Sequence, residues 1–237
     1  MISIILPTFN EERCGNLDTI LTNLEAVVNA EVIVVDGGST DGSLQRLNQS
    51  GFMLLNLPGS HRAARLNHGL AVAKGDCIFL HHPRSLVEAS IFEQVRQACD
   101  SNKPVWGGLS HLFDLDHPLL RLTSWYSNRI RFDRSGIVYL DHCLFFNRCF
   151  IDKEVRVPDL AIFEDTELSR YLGRQCPPLR LSAEACTSAI RFRENGIIRQ
   201  SIKNQLLKLA YHLKISPQRM SRFYEQGLEL NNLIHKE

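Results

Sequence analysis

The feature that most constrains the fold of this chain is a repeated alternation of short apolar runs with amphipathic stretches. The first two runs, residues 2–6 and 31–36, are rich in β-branched residues, as buried parallel strands are. We expect strands at residues 2–6, 31–36, 53–56 and 76–80. We expect helices at residues 16–28, 43–50 and 62–73, where apolar residues recur at helical spacing. This alternation predicts an α/β fold with a mostly parallel sheet and right-handed crossovers.

The second half of the chain is less regular but still alternates. We expect helices at residues 86–100, 119–131, 163–173 and 197–213, and a last one from Pro217 towards Leu233. Candidate strands lie at residues 105–113, 139–147, 179–181 and 189–192. No linker or internal repeat divides the chain. We therefore predict one domain over residues 1–195 with a C-terminal helical extension over residues 196–237.

Composition narrows the class of protein. Hydrophobic residues make up 44% and charged residues 22%, which is typical of a globular protein, and the net charge of +1 argues against a nucleic-acid partner. The seven cysteines include no CxxC pair, so we expect neither a disulfide framework nor a zinc site, and we expect the reducing cytoplasm. We identify no signal peptide and no apolar run of about 20 residues that would span a bilayer.

Ligands of parallel sheets bind at the carboxyl ends of the strands. One of these ends reads Asp36-Gly37-Gly38-Ser39. A carboxylate there can accept a hydrogen bond from a base or a ribose hydroxyl, and the glycines let a ligand approach the backbone. The same residues are also typical of an ordinary capped turn.

Longer segments carry a family resemblance. Ile-Ile-Leu-Pro-Thr-Phe-Asn-Glu-Glu from Ile4, followed by Val-Ile-Val-Val-Asp-Gly-Gly-Ser-Thr-Asp-Gly-Ser from Val32, resembles the family 2 glycosyltransferases of the GT-A fold. Residues 61–69 and 73–81 resemble a bacterial branch whose metal motif usually reads Leu-His-Ala-Asp-Thr, and the likeness continues through 139–148, 164–170 and 187–193.

The resemblance implies a GT-A-like, Rossmann-type domain with a nucleotide-binding half, residues 1–85, and an acceptor half, residues 86–195. It implies transfer of a sugar from a nucleoside diphosphate sugar to a hydroxyl acceptor, with inversion at the anomeric carbon. A nucleotidyltransferase is a less favoured reading, because the first strand turn lacks a glycine-rich phosphate loop with a lysine.

The resemblance also assigns roles to individual residues. Thr8, Phe9 and Glu11 lie at the nucleoside side, and Asp36 matches the carboxylate that reads the base and ribose.

Arg62, Arg65 and Asn67 lie in the segment that faces the diphosphate, where arginine suits phosphate through its planar donors.

On the acceptor side, Asp165 matches the catalytic base and Glu164 is its acidic neighbour, while Asp141 is a candidate acceptor contact. An acidic pair at a helix start also favours the helix dipole, so a structural role is the alternative.

The metal motif departs from the family pattern. It reads His81-His82-Pro83-Arg84, so proline replaces the aspartate that would hold Mg²⁺ or Mn²⁺. Three interpretations stay open. His81 and His82 bind a softer divalent metal; or Arg84, with Arg62 and Arg65, replaces the metal by fixed positive charge. In the third, the donor site is degenerate and the protein is a nucleotide- or partner-binding module.

The helical extension carries an apolar stripe of Ile198, Ile202, Leu206, Leu209 and Leu213 beside basic residues. Two expectations follow from this pattern. The extension lies on anionic lipid at the inner face of the cell membrane, or it packs on the domain and presents a basic outer face.

Overall fold

The computed structural model describes residues 1–151, 155–226, 228, 230 and 231. Its strands are β1 (Ile2–Thr8), β2 (Ala30–Asp36), β3 (Met53–Asn56), β4 (Cys77–Leu80), β5 (Ser85–Leu86), β6 (Trp106–Phe113), β7 (Leu144–Asn147) and β8 (Leu179–Thr187). Its helices are α1 (Leu17–Glu25), α2 (Ser43–Gln49), α3 (Arg62–Val72), α4 (Ile91–Cys99), α5 (Pro118–Tyr126), α6 (Arg148–Ile151), α7 (Glu164–Gly173), α8 (Ile190–Asn195), α9 (Ile197–His212) and α10 (Pro217–Glu225).

All eight strands form one sheet in the order β3-β2-β1-β4-β7-β6-β8-β5. The first four are parallel, β7 runs antiparallel to both β4 and β6, and β8 is parallel to β6. This mixed, mostly parallel sheet confirms the α/β fold predicted from the sequence. The carboxyl ends of β1, β2 and β4 lie side by side, so the segments that follow them meet at one edge.

The core occupies both faces of the sheet, because the strand residues alternate between them. Ile2, Ile4 and Leu6 of β1 pack on one face with residues of α1 and α4. Ile5 points to the other face, where residues of α3 and α7 cover it. Gly69 of α3 allows close contact there, since a Cβ at this position would lie 2.5 Å from Ile5 Cγ2. This contact holds the first turn of α3 over the strand ends.

Several second-half elements differ from the sequence prediction. The strand expected at residues 189–192 is wrong: Ala189 precedes α8, and its N–H donates to Asp114 Oδ1 at 2.7 Å. A four-residue apolar run carries too little periodicity to separate a strand from a helix. Of the strand expected at 139–147, only Leu144–Asn147 forms. The predicted last helix ends at Glu225, and residues 227, 229 and 232–237 lie outside the described part of the chain.

Helix α9 packs on the protein through a different face from its apolar stripe. Gln200 and Leu207 are its buried residues. The stripe points away from the domain, and its side chains are between 52% and 71% exposed: Ile198, Ile202, Leu206, Leu209 and Leu213. The outer face of α9 is therefore apolar rather than basic. Among the described residues, no helix is both long and apolar enough to cross a bilayer.

Candidate active site

A cavity of about 210 Å³ opens where the loop after β4 meets the first residues of α3 and α7. It brings together five of the residues singled out by the sequence: Arg62, His82, Arg84, Asp141 and Asp165. The opposite wall comes from α5, α9 and the turn into α8. The other predicted site residues lie behind this surface.

Asp165 is the second residue of α7, and its carboxylate borders the cavity. The N–H of Leu140 donates to Asp165 Oδ2 at 3.0 Å and fixes its orientation. Burial and the neighbouring Glu164 raise the pKa of Asp165 to about 6, although Arg62 opposes the shift. A carboxylate with this pKa is ionised at neutral pH and accepts a proton more readily than an ordinary aspartate.

The backbone around Asp165 is strained. Phe163, just before α7, has a φ of 64°, and Cys143, after the turn that holds Asp141, has a φ of 52°. Non-glycine residues in the left-handed region cost about 1–3 kcal/mol each and persist where the surrounding structure enforces them. Both strained residues flank a carboxylate of the cavity.

Glu164 forms an ion pair with Arg62. Arg62 Nε donates to Glu164 Oε1 at 2.5 Å, and Arg62 Nη2 lies 3.7 Å from Asp165 Oδ2. Burial alone would lower the pKa of Arg62, but the two carboxylates raise it. The Glu164 side chain is buried and does not border the cavity. Glu164 therefore positions Arg62, which faces the cavity itself.

Asp36 organises the loops after β1 and β2. Its carboxylate accepts hydrogen bonds from the Thr8 and Ser39 hydroxyls at 3.0 and 2.6 Å, and from the N–H groups of Gly38 and Ser39 at 2.9 and 2.7 Å. Asp36 and Thr8 are fully buried. Phe9 is also buried, with the Arg65 guanidinium 5.8 Å from its ring centre.

Glu11 and Arg84 form a buried pair beside these loops. Arg84 Nη1 lies 3.3 Å from both Glu11 carboxylate oxygens. Burial raises the pKa of Glu11, and Arg84 and Arg65 only partly offset this. Arg65 donates to the Thr8 carbonyl and stays behind the cavity wall, and burial lowers its pKa to about 10. The structure thus places Arg62 and Arg84 in the cavity, but not Arg65.

Residues after α10 cover the two inner arginines. Arg84 donates to the Leu230 carbonyl at 2.9 Å and to Asn231 Oδ1 at 2.7 Å, and Arg65 donates to the Asn231 carbonyl at 2.6 Å. Glu225 holds Leu230 and Asn231 in place by accepting hydrogen bonds from their N–H groups at 2.7 and 3.1 Å. Leu230 and Asn231 belong to no motif, so these contacts could not be predicted from the sequence.

The two histidines of the altered metal motif point apart. His81 is buried against Phe79 and Phe92, and its Nδ1 lies 2.8 Å from the His82 carbonyl. His82 borders the cavity, and its Nδ1 accepts from the Arg84 N–H at 3.3 Å.

The residues present at this position do not fit a divalent cation. The two imidazoles cannot chelate one ion, and Pro83 supplies no ligand atom. Within the described residues, no group of three or more His, Cys, Asp or Glu side chains could hold a metal. The prediction that His81 and His82 share a metal is therefore not supported by their geometry.

Asp141 lies between two buried imidazoles. His111 Nε2 is 3.7 Å from Asp141 Oδ2, and His142 Nε2 is 3.9 Å from Asp141 Oδ1. Burial would raise the pKa of Asp141, but the nearby His111 and His142 lower it overall. Asn67, by contrast, exchanges two hydrogen bonds with the Val157 backbone and lies outside the cavity wall.

Some cavity residues were not singled out by sequence reasoning. His111, Arg131, Tyr139, Arg191 and Lys208 all border the cavity. Tyr139 and Arg191 lie in the segments that carry the family resemblance, which is the signal that could have found them. Arg131 and Lys208 belong to no motif.

Several solved structures have a similar fold. The mannosyltransferase PcManGT from Pyrobaculum calidifontis, in complex with GDP-Man and Mn²⁺, is 16% identical with a TM-score of 0.66, over 95% of this chain and 70% of that one. Glucosyl-3-phosphoglycerate synthase from Mycobacterium tuberculosis, in complex with Mn²⁺, UDP and glucosyl-3-phosphoglycerate, is 15% identical with a TM-score of 0.59, over 88% and 79%.

S. aureus TarS 1–349 in complex with UDP is 18% identical with a TM-score of 0.62, over 79% of this chain. The chain spans 60% of the length of that TarS fragment. At these identities the likeness concerns the fold alone. No curated protein matches the sequence.

The sequence itself identifies the family. The profile described as "Glycosyl transferase family 2" matches residues 3–156, which is more than half of the chain. This range contains the loops after β1, β2 and β4 and the first turn of α3. The chain belongs to glycosyl transferase family 2.

Proposed function

We propose that the protein transfers a sugar from a nucleoside diphosphate sugar to a hydroxyl group of an acceptor, with inversion. The observation that carries the proposal is the meeting of Asp165, Arg62 and Arg84 in one cavity at the carboxyl ends of the strands. Family membership and the nucleotide complexes of the similar structures support it.

In the proposed reaction, Asp165 accepts the proton of the acceptor hydroxyl. The oxygen then bonds to the anomeric carbon as the bond from that carbon to the diphosphate breaks. Negative charge develops on the leaving diphosphate, and Arg62 and Arg84 are the cations of the cavity nearest to the strand ends. Hydrogen bonds from Thr8 and Ser39 to Asp36 fix the loops after β1 and β2, which lie on the proposed nucleoside side.

We further propose that the donor site works without a divalent metal. Pro83 and the separated histidines supply no oxygen ligands for Mg²⁺ or Mn²⁺, whereas Arg62 and Arg84 supply fixed charge. We expect UDP-, GDP- or dTDP-sugars to raise the melting temperature equally in Mn²⁺ and in EDTA. A shift seen only with Mn²⁺ would contradict metal independence. No shift with any nucleotide would contradict the transferase proposal, and binding without sugar transfer would indicate a degenerate enzyme.

We also propose that α9 rests on the anionic, cytoplasmic face of a membrane. The segment that carries the exposed apolar stripe is basic, because residues 196–226 contain six lysines and arginines, of which Lys208 lines the cavity, and a single acid, the buried Glu225. An interfacial helix needs such an apolar face with basic flanks. A symmetric dimer formed through α9 would instead bring the basic residues of two copies together, with no acidic residues to balance them.

Vesicle binding tests this contact. We expect the chain to sediment with vesicles containing phosphatidylglycerol and not with pure phosphatidylcholine. The Ile202→Ser, Leu209→Ser double variant removes apolar area from the stripe, so we expect about tenfold weaker binding. Gln205→Ser with Gln218→Ser, also on exposed positions, should leave binding unchanged. Equal binding to both vesicle types, or a dimer that dissociates in the stripe variant, would contradict the proposal.

A further inference from the structure

Most cations of the cavity form an ion pair with a carboxylate. Arg62 pairs with Glu164 at 2.5 Å, Arg84 with Glu11 at 3.3 Å, and Arg191 with Glu225 at 2.7 Å. Two further cations line the same cavity: Arg131, in the turn after α5, and Lys208, on α9.

Arg131 and Lys208 form no such ion pair with a described carboxylate. Arg131 Nη1 donates to the Ser127 hydroxyl at 3.0 Å, and Lys208 Nζ donates to the Gln205 amide oxygen at 3.5 Å. Among the described residues, neither makes a salt bridge to an acidic side chain. The cavity therefore holds two cations that form no salt bridge with a described carboxylate, although Asp141 and Asp165 line the same cavity.

Arg131 and Lys208 both lie near the ring of Tyr126. The Arg131 guanidinium lies 4.0 Å from the Tyr139 ring centre and 5.6 Å from that of Tyr126, and Lys208 Nζ lies 5.8 Å from the Tyr126 centre. Burial and the repulsion of Arg131 lower the pKa of Lys208 to about 8. Asp141 is the acid that acts on both, and it is already flanked by His111 and His142. Two like charges kept close inside a cavity wall are stabilised when an anion binds between them.

We propose that Arg131 and Lys208 bind an anionic group, a phosphate or carboxylate, carried by the acceptor. That the anion belongs to the acceptor rests on the proposed function. The anion site itself rests on the two cations that form no salt bridge with a described carboxylate. The turn that carries Arg131 packs on β6, where Asn128 exchanges hydrogen bonds with the His111 backbone at 2.9 Å. Strands β4 and β7 separate β6 from β1, whose end loop belongs to the nucleoside side. The cation pair therefore lies towards the acceptor half of the domain.

The anion has two sources that an experiment can separate, the acceptor or the donor diphosphate. We would measure binding of inorganic phosphate and, separately, of UDP, GDP and dTDP by calorimetry. The test variant is Arg131→Met with Lys208→Met. The matched control is Arg134→Met with Lys214→Met, which removes the same charges from exposed positions close in sequence and outside the cavity wall.

We expect the test variant to bind phosphate at least about tenfold more weakly than the wild type, a loss that corresponds to one charge-assisted contact. We expect the nucleotide affinity of the test variant to be unchanged. We also expect the control variant to keep its affinities for phosphate and for nucleotide. Unchanged phosphate affinity in the test variant would overturn the inference, as would an equal loss of nucleotide affinity, which would assign the cations to the donor. If the wild type binds no nucleotide but the variant still loses phosphate, the anion site stands and the transferase proposal fails.

Discussion

Asp165→Asn is expected to lower the rate of sugar transfer by about 10²–10⁴-fold, the usual contribution of a general base. The amide cannot accept the proton of the acceptor hydroxyl, yet it keeps an oxygen that can accept the Leu140 N–H bond now made at 3.0 Å. The turnover rate should fall while donor affinity, measured by thermal shift or calorimetry, stays close to that of the wild type. Full transfer activity in the variant would show that Asp165 is not the base.

Glu167→Gln is the matched control on the same helix. Glu167 is also an acid in the first turn of α7, but it pairs with Arg170 at 2.9 Å and does not border the cavity. We expect this variant to retain its activity. In the wild type, the transfer rate should rise with pH through the Asp165 pKa of about 6, because only the ionised carboxylate accepts a proton. A rate that is flat between pH 5 and about 7 would contradict this assignment.

Gly107→Ala is expected to lower the free energy of unfolding by at least about 3 kcal/mol, at the upper end of overpacking costs. A Cβ at Gly107 would lie 1.8 Å from the Leu179 carbonyl oxygen, so β8 would have to move away from β6. A backbone atom of a paired strand cannot rotate aside as a side chain can. The reduced entropy of the unfolded chain favours alanine by only about 0.4–1 kcal/mol and does not offset the clash. Denaturant unfolding measures the change.

Gly173→Ala provides the comparison within the same region. Gly173 is the last residue of α7, and a Cβ there would meet Trp106 Cζ2 at 3.7 Å, an ordinary contact. Alanine is about 1 kcal/mol more favourable than glycine in a helix, so we expect this variant to equal or exceed the wild type in stability. If both glycine variants unfolded at the same denaturant concentration, close packing of β6 on β8 would not be the reason for glycine at 107.

The first half of the fold was predictable because its signals are local. Strands β1, β2 and β4 are short, mostly buried runs and the half-exposed β3 is equally short, and no competing periodicity obscures them. The resemblance assigned roles to Arg62 and Asp165, and the altered metal motif drew attention to Arg84; the structure brings these three residues to one cavity.

The rest of the site depends on tertiary contacts that leave no local signal. The positive φ of Phe163 and Cys143 occurs at residues that disfavour it, so only the packing around them enforces it. Arg131 and Lys208 are far apart in the chain and look like ordinary surface cations until the fold brings both of them close to the ring of Tyr126. The orientation of α9 was equally hidden, because both of its faces carry apolar residues and only one is packed.

The contacts of Leu230 and Asn231 affect how a nucleotide affinity measured on this protein should be interpreted. Oxygen atoms of Leu230 and Asn231 accept hydrogen bonds from Arg84 and Arg65. A ligand that uses those donors binds only the molecules in which these hydrogen bonds are broken. Its apparent dissociation constant is then the intrinsic constant divided by the fraction of such molecules. For such a ligand the measured dissociation constant reports two equilibria, and weak binding alone does not mean a poorly matched pocket.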